Sequence, residues 1–237
     1  MLRSLDFLVI VNIAGKALEV KPLLGDCTHL ILWIHNEPGF VFLQDFNNHR
    51  EINACDAFVF VSDWQRDEFH RRFGIDFNRS CVLRNAIAHF LANIFPDNLS
   101  ILSHKSKPSV LAYTSTPFRG LDILLKVFPE ICQAVPGTRL KVFSIMKVHQ
   151  IDDSDNQLFF CQIYRQCQET EGVEYVGSVP QPELVRQMRS VAVLAYPNTY
   201  LETSSIAVME AMACGCRIVT SELAALPETT AGFARLV

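Results

Sequence analysis

Two carboxylates eight positions apart, Glu202 and Glu210, bracket the start of an apolar helix-forming segment, Ile206-Ala207-Val208-Met209-Glu210-Ala211-Met212-Ala213-Cys214, that Gly215 would end. Thr203, Ser204 and Ser205, just before it, are all competent helix N-caps. The first-turn amides beyond such a cap have no acceptor inside the helix, which makes an anion site, and a diphosphate suits it. Ile206, Met209 and Ala213 form one helical face and Ala207, Ala211 and Cys214 another, so Glu210 is the only charge on a helix that is apolar all round. A buried carboxylate is costly without donors, and vicinal sugar hydroxyls at a site mouth would supply them. The alternative for Glu210 is a place on a narrow solvent-facing strip, or pairing with an internal backbone amide. Glu202 alone reads as a carboxylate favoured by the helix dipole.

A second candidate is His35, which closes the apolar run Leu30–Ile34 at its carboxyl edge. Functional groups of open α/β sheets collect at that edge. A histidine there can also be satisfied by strand-end carbonyls or packed against Trp33.

The elements that must hold these groups alternate along the chain. Strands are expected at Phe7–Val11, His29–Ile34, Ala57–Val61, Cys81–Leu83, Val110–Tyr113, Leu140–Phe143, Val173–Val176, Val191–Tyr196 and Arg217–Thr220. They are rich in Val, Ile and Leu and barely alternate, which suits strands covered on both faces. Ser62-Asp63-Trp64-Gln65 is a capping box whose helix stops near Gly74. Leu121, Leu124, Leu125, Phe128 and Ile131 mark one face of another helix, with Pro129 as a possible kink. Strand–helix alternation implies α/β architecture with mostly parallel sheets. The rhythm breaks between Asn85 and Pro108. The chain is therefore expected to divide into a partial first domain (1–88), a connection (89–108) and a nearly complete second domain (109–237), and it reads as clipped at both ends.

Composition narrows the function classes. Lys and Arg number 21 against 25 Asp and Glu, a net charge of −4, and 49% of residues are hydrophobic. Such a chain has a core to bury, unlike a disordered one, and lacks the cationic excess of a general nucleic-acid binder. The eight cysteines include no CxxC pair, so a zinc site is not expected; most lie in apolar runs as small hydrophobes. Asp152-Asp153-Ser154-Asp155 reads as a solvated loop, and metal dependence is not expected. No run approaches the ~20 apolar residues of a membrane span. Asp6 and Asn12 interrupt the only stretch that could mimic a signal peptide. The expected compartment is the cytoplasm, with peripheral attachment to the inner face of a membrane left open.

Glu202 and Glu210, followed by Ala-Met-Ala-Cys-Gly and the run Arg217–Thr220, resemble the donor-site motif of retaining GT-B glycosyltransferases, family 4. The resemblance implies two Rossmann-like parallel sheets with helices on both faces. It implies that Glu202 lies by the transferred sugar, that Glu210 binds the nucleotide ribose, and that the amides around Ser204–Ile206 hold phosphate or sugar oxygens. Phe118-Arg119-Gly120-Leu121-Asp122 resembles the family's Lys-Gly-Leu-Asp element, so Arg119 takes the place of the lysine that holds the donor diphosphate. The hydroxyls of Ser115 and Thr116 stand near where the family carries an arginine. Tyr175-Val176-Gly177-Ser178-Val179-Pro180 resembles the strand and loop beside the nucleotide base, which brings in Val179. His35 resembles the acceptor-domain histidine that faces the donor sugar in this family.

The implied activity is transfer of a sugar from a nucleotide-diphosphate sugar to an acceptor hydroxyl with retention of configuration. The donor is a substrate; no cofactor is implied. The acceptor class is open: a glycan, a lipid-linked sugar or a protein. Two other classes stand beside this one. A non-catalytic nucleotide-sugar-binding remnant would bind without turnover. A dinucleotide oxidoreductase would require a GxGxxG after a strand, and the sequence has none.

Overall fold

The computed structural model describes residues 2–92, 94–95, 100–146 and 153–237, with the side chains of 42, 44 and 153–159 left aside. The described residues group into two compact units, each built on its own parallel sheet. The first comprises 1–85 with the short segments 201–204 and 224–229; the second comprises 86–200, 205–223 and 230–237.

In the first unit, β1 (Phe7–Val11), β2 (His29–Ile34), β3 (Ala57–Phe60) and β4 (Ser80–Val82) pair in sequence order, all parallel. Register places Leu8 and Ile10 of β1 beside Leu30 and Leu32 of β2 on one face. That face packs against α2 (His49–Ala54), α3 (Asp63–Phe73) and the 3-10 segment Val41–Asn47, through Ile52, Phe69, Phe73, Leu43 and Phe46, and the one-turn helix α1 (Ala17–Val20) adds Ala17 to the same core. Phe46 is the centre: its ring lies 6.1 Å from Phe58, 5.7 Å from Phe69 and 5.3 Å from Phe73. The opposite face is not covered as the apolar runs suggest. Phe7, Val9 and Val11 on it are 61%, 46% and 47% exposed, and their β2 partners include the half-buried Ile31 and Trp33.

Helix α3 begins where the capping box places it. Ser62 takes the N-cap, its hydroxyl accepting from the Gln65 amide at 3.1 Å, and Gly74 ends the helix at φ 70°, where a left-handed backbone favours glycine.

The second unit holds six parallel strands in the order β10-β9-β8-β5-β6-β7: β5 (Val110–Tyr113), β6 (Arg139–Val142), β7 (Val173–Tyr175), β8 (Val193–Tyr196), β9 (Arg217–Thr220) and β10 (Ala234–Leu236). Between them run α4 (Leu121–Ala134), α5 (Asp153–Glu169), α6 (Gln181–Met188) and α7 (Ile206–Ala213); α8 (Leu226–Thr230) follows β9 in sequence, and its residues 226–229 group with the first unit. Helix α4 buries Leu121, Leu124, Leu125 and Phe128 and continues unbroken past Pro129. The chain winds outward from β5 through β6 to β7, then returns to the other side of β5 for β8, β9 and β10. This is a doubly wound Rossmann order, with its switch point between β5 and β8. In such sheets the crevice for a ligand opens outside the carboxyl ends of the strands at the switch point.

Candidate functional site

A cavity of about 360 Å³ opens beyond the carboxyl ends of β5, β6 and β7. It is lined by the turn after β5 (Thr114, Ser115, Thr116 and Arg119), by Phe143 and Ile145 after β6, and by Gly177, Ser178 and Val179 after β7. Four residues singled out from the sequence, Ser115, Thr116, Arg119 and Val179, are thus brought to one cavity although they span 65 positions. A larger cavity of about 820 Å³ lies at the amino-terminal ends of the same sheet, where Ser109, Ala192 and Arg217 line it. Strand polarity decides between them, and the smaller cavity is the candidate site.

The turn after β5 is locked by the loop after β8. Gly120 has φ 94°, and a Cβ there would lie 1.9 Å from the Pro197 carbonyl oxygen, so only glycine lets the two loops meet. The β8 loop is pinned in turn: the Asn198 side chain accepts from the Tyr200 amide at 3.1 Å and donates to the Tyr200 carbonyl. This loop brings the Tyr200 ring against Arg119, whose guanidinium carbon lies 4.5 Å from the Tyr200 ring centroid and 5.5 Å from that of Phe118. The two rings are themselves edge-to-face at 5.9 Å. Arg119 is held as a planar cation by aromatic faces, an arrangement that fixes its direction.

Two hydroxyls complete this wall. Ser115 Oγ is 3.3 Å from Tyr196 Oη at the end of β8. The Thr116 carbonyl accepts from Tyr113 Oη at 2.7 Å and from the Arg119 amide at 3.2 Å, which closes the turn. Thr116 Oγ1, by contrast, is buried and has no hydrogen-bond partner among the described residues. A buried hydroxyl left unpaired costs free energy, and a ligand oxygen in the cavity would satisfy it.

Glu210 lies on α7 and is half-buried. The Gln181 side-chain amide, at the start of α6, donates to Glu210 Oε1. Burial pushes the Glu210 carboxyl up from its ordinary value, and the Gln181 bond opposes that rise. The carboxylate therefore has an internal donor from a side chain, where the sequence suggested sugar hydroxyls, a solvent strip or a backbone amide. Ser205 is the N-cap of α7, yet its side chain makes no capping bond. Ser205 is buried and Ile206 is 44% exposed; neither they nor Glu210 nor Gly120 line the 360 Å³ cavity.

Glu202, Thr203 and Ser204 group with the first unit, as does His35. Glu202 is buried, and its carbonyl accepts from the Ala225 amide at 3.0 Å. Thr203 Oγ1 donates to the His35 carbonyl at 2.6 Å, and the Asn85 side chain donates to the Ser204 carbonyl at 3.1 Å. His35 is further fixed by its amide, which donates to Asn12 Oδ1 at 2.6 Å, and by its ring, 5.1 Å from that of Trp33. Burial holds the His35 imidazole below its ordinary pKa, so it is neutral near pH 7. The structure thus joins two residues that stand 168 positions apart, His35 and Thr203.

Gln181, Tyr200 and Leu184, which also lines the cavity, were not legible as site residues. Each acts through a loop or helix start brought in by tertiary contacts, and no local spacing marks them. Among the described residues no group of three or more His, Cys, Asp or Glu could hold a metal ion. In the run Asp152-Asp153-Ser154-Asp155, Asp152 and the side chains of Asp153 and Asp155 lie outside the described residues. The backbone from Asp153 onward is the start of α5 rather than the loop its polar residues suggest. No helix among the described residues is long and apolar enough to cross a membrane.

The sequence profile of the family described as glycosyl transferases group 1 matches residues 108–236. The phosphatidyl-myo-inositol mannosyltransferase of Mycobacterium tuberculosis (strain ATCC 25618 / H37Rv) is 28% identical over 107 residues, 45% of this chain and 25% of the relative. The O-antigen chain mannosyltransferase B of Escherichia coli is 24% identical over 195 residues, 80% of this chain and 49% of the relative. The chain thus spans between a quarter and a half of the length of these relatives. Among solved structures, Alr3699/HepE of Anabaena in complex with UDP and glucose superposes with a TM-score of 0.67 at 16% identity, over 94% of this chain and 61% of that one. Sucrose-phosphate synthase of Thermosynechococcus elongatus gives 0.68 at 14% identity, over 95% and 58%. These likenesses establish a fold of the GT-B type, with Rossmann-like parallel sheets. The profile runs through all six strands of the second sheet and over more than half of the chain, and this protein belongs to the glycosyl transferases of group 1.

Proposed function

We propose that the second unit binds a nucleotide-diphosphate sugar and that the chain contributes to transfer of the sugar to an acceptor hydroxyl with retained configuration. The observation that carries this reading is the cavity beyond the carboxyl ends of β5, β6 and β7, with Arg119 held against Phe118 and Tyr200 and the buried Thr116 hydroxyl in its wall. Family membership supports it, as do the UDP and glucose bound to the Anabaena neighbour and the glycosyl-transfer activities named for the curated relatives.

In this reading the diphosphate is the leaving group, and negative charge grows on it as the bond to the sugar breaks. A fixed guanidinium in a cavity partly shielded from water stabilises that charge more in the transition state than in the bound donor. Arg119 supplies the cation, and the hydroxyls of Ser115 and Thr116 donate to phosphate oxygens. Val179 and the Gly177–Val179 loop flank the base. Glu210, presented by α7 and steadied by Gln181, accepts from ribose hydroxyls. The amides at Ser204–Ile206 take phosphate or sugar oxygens. Glu202 orients the transferred sugar, and the neutral His35 serves as a hydrogen-bonding group at that sugar. The acceptor is a glycan, lipid-linked or protein hydroxyl.

The test is release of free nucleotide from a panel of nucleotide-diphosphate sugars. The expected result is release from at least one donor, reduced about a hundredfold or more in Arg119→Ala, the scale on which lost transition-state donors are felt. Glu202→Ala should also abolish release. Binding of a donor with no release from the wild-type chain would contradict the catalytic reading and leave a nucleotide-sugar-binding protein.

A further inference from the structure

We propose that Glu228, to which the reaction as read above assigns no part, is a positioning residue for the segment that carries Glu202. Its carboxylate spans the first turn of α3: Oε1 accepts from the Asp63 amide and Oε2 from the Trp64 amide, both at 3.0 Å. Arg84 donates at 2.6 Å to Glu228 Oε1 and at 2.6 Å to Asp63 Oδ2, tying all three side chains together. The helix accounting closes around this contact. An α-helix begins with amides that lack intrahelical acceptors. Here Glu228 takes the first two, the Ser62 hydroxyl takes the third, on Gln65, and the Arg66 amide already bonds the Ser62 carbonyl. A carboxylate is also the group that the positive end of a helix favours.

Glu228 reaches this place from α8, a one-turn helix far along the sequence. The other end of the same segment bonds the loop of interest: the Ala225 amide donates to the Glu202 carbonyl at 3.0 Å. From Glu202 the connection continues through Thr203 to the His35 carbonyl. The next carbonyl, that of Asn36, accepts from the fully buried Gln65 side chain at 2.8 Å, and Gln65 belongs to α3. The contacts form a ring: α3, Glu228, Ala225, Glu202, Thr203, His35–Asn36 and back to α3. All of its members lie within the first unit. Glu202 and His35 therefore share one hydrogen-bonded frame, and Glu228 is its ionic link. The backbone at Ala224 takes φ 53°, a conformation that L residues adopt at a cost, so the surrounding contacts must hold it.

This inference rests on the proposed role of Glu202, and its test separates the two. Amide hydrogen exchange is measured on the wild-type chain, Glu228→Ala and Glu228→Gln, together with the kinetics of nucleotide release. In Glu228→Ala, exchange at the Ala225 amide, which bonds the Glu202 carbonyl, should accelerate about tenfold or more, the loss expected of charge-assisted hydrogen bonds, while amides of β5 and β8 stay as protected as before. Glu228→Gln, which keeps one carbonyl oxygen for a helix amide, should fall between the two. Turnover number should drop in the same order with the donor KM unchanged, because the cavity residues are untouched. Unaltered exchange at the Ala225 amide in Glu228→Ala would overturn the proposal, as would a raised donor KM with the turnover number unchanged. If Glu228→Ala loses protection throughout β5 and β8, Glu228→Gln carries the same comparison. A wild-type chain that releases no nucleotide would sink the functional reading, and the exchange result alone would then decide the role of Glu228.

Discussion

Arg119 is a short stretch of chemistry made usable by its neighbours. Its place in Phe118-Arg119-Gly120-Leu121 is visible in the sequence, because the glycine and the apolar start of α4 are local features. The ring that steadies it, Tyr200, is not, since it arrives from the loop after β8 through the meeting of Gly120 with Pro197. Replacing Tyr200 with Leu should weaken nucleoside diphosphate binding about two- to fivefold, the worth of a cation–π contact, while Tyr200→Phe keeps the affinity. Calorimetric titration with UDP and GDP reads both variants; a leucine variant that binds as well as the wild type would remove Tyr200 from the account.

His35 makes a different kind of statement. Burial lowers its pKa from the ordinary 6.5, so the folded chain refuses a proton that the unfolded chain accepts. As pH falls below about 6.5, the unfolded state binds more protons, and stability must decline with it. Above that value the group contributes no slope. His35→Gln should flatten this part of the stability profile, measured by denaturant unfolding from pH 7.5 to about 5. An unchanged slope would mean that the imidazole is as free in the folded state as in the unfolded one.

At the scale of elements, nine strands were legible, most with ends displaced by a residue or two: Ala57–Val61 ends at Phe60, Cys81–Leu83 becomes Ser80–Val82, and Val191–Tyr196 starts at Val193. The apolar runs fix existence, and ladder hydrogen bonds fix ends, which is why the ends shift. The tenth strand, Ala234–Leu236, has three residues around Arg235 and no apolar run to announce it; only pairing with β9 makes it a strand. Helix α3 was legible at both ends because its cap and its terminal glycine are local. Its second layer of capping, by Glu228, depends on a residue 165 positions away and had no sequence signal. Cover on both faces was expected for all strands and holds for the buried β5, but Phe7, Val9 and Val11 show an apolar run with only one face packed. Apolar content tells that a face can be buried; it does not name the element that buries it.

At the scale of the whole molecule, the sequence suggests a chain cut once, near residues 89–108. The described residues instead group with two returns, 201–204 and 224–229, into the first unit. Those returns rest on hydrogen bonds over very long sequence separations, such as Thr203 to His35, which composition and periodicity do not encode. The carboxylate pair, by comparison, stood out because a charge on an otherwise oily helix is conspicuous in one dimension. Its members turn out to belong to different units, Glu202 to the first and Glu210 to the second.

The central claim is that the second unit's cavity grips a diphosphate through Arg119. Isothermal titration of the chain with UDP and with GDP, in the wild type and in Arg119→Ala, tests it most directly. The account predicts saturable binding of at least one of these at one molecule per chain, weakened about ten- to a hundredfold by the substitution, the range for losing hydrogen bonds to a charged group. No binding of either nucleotide, or equal affinity in the two proteins, would contradict it.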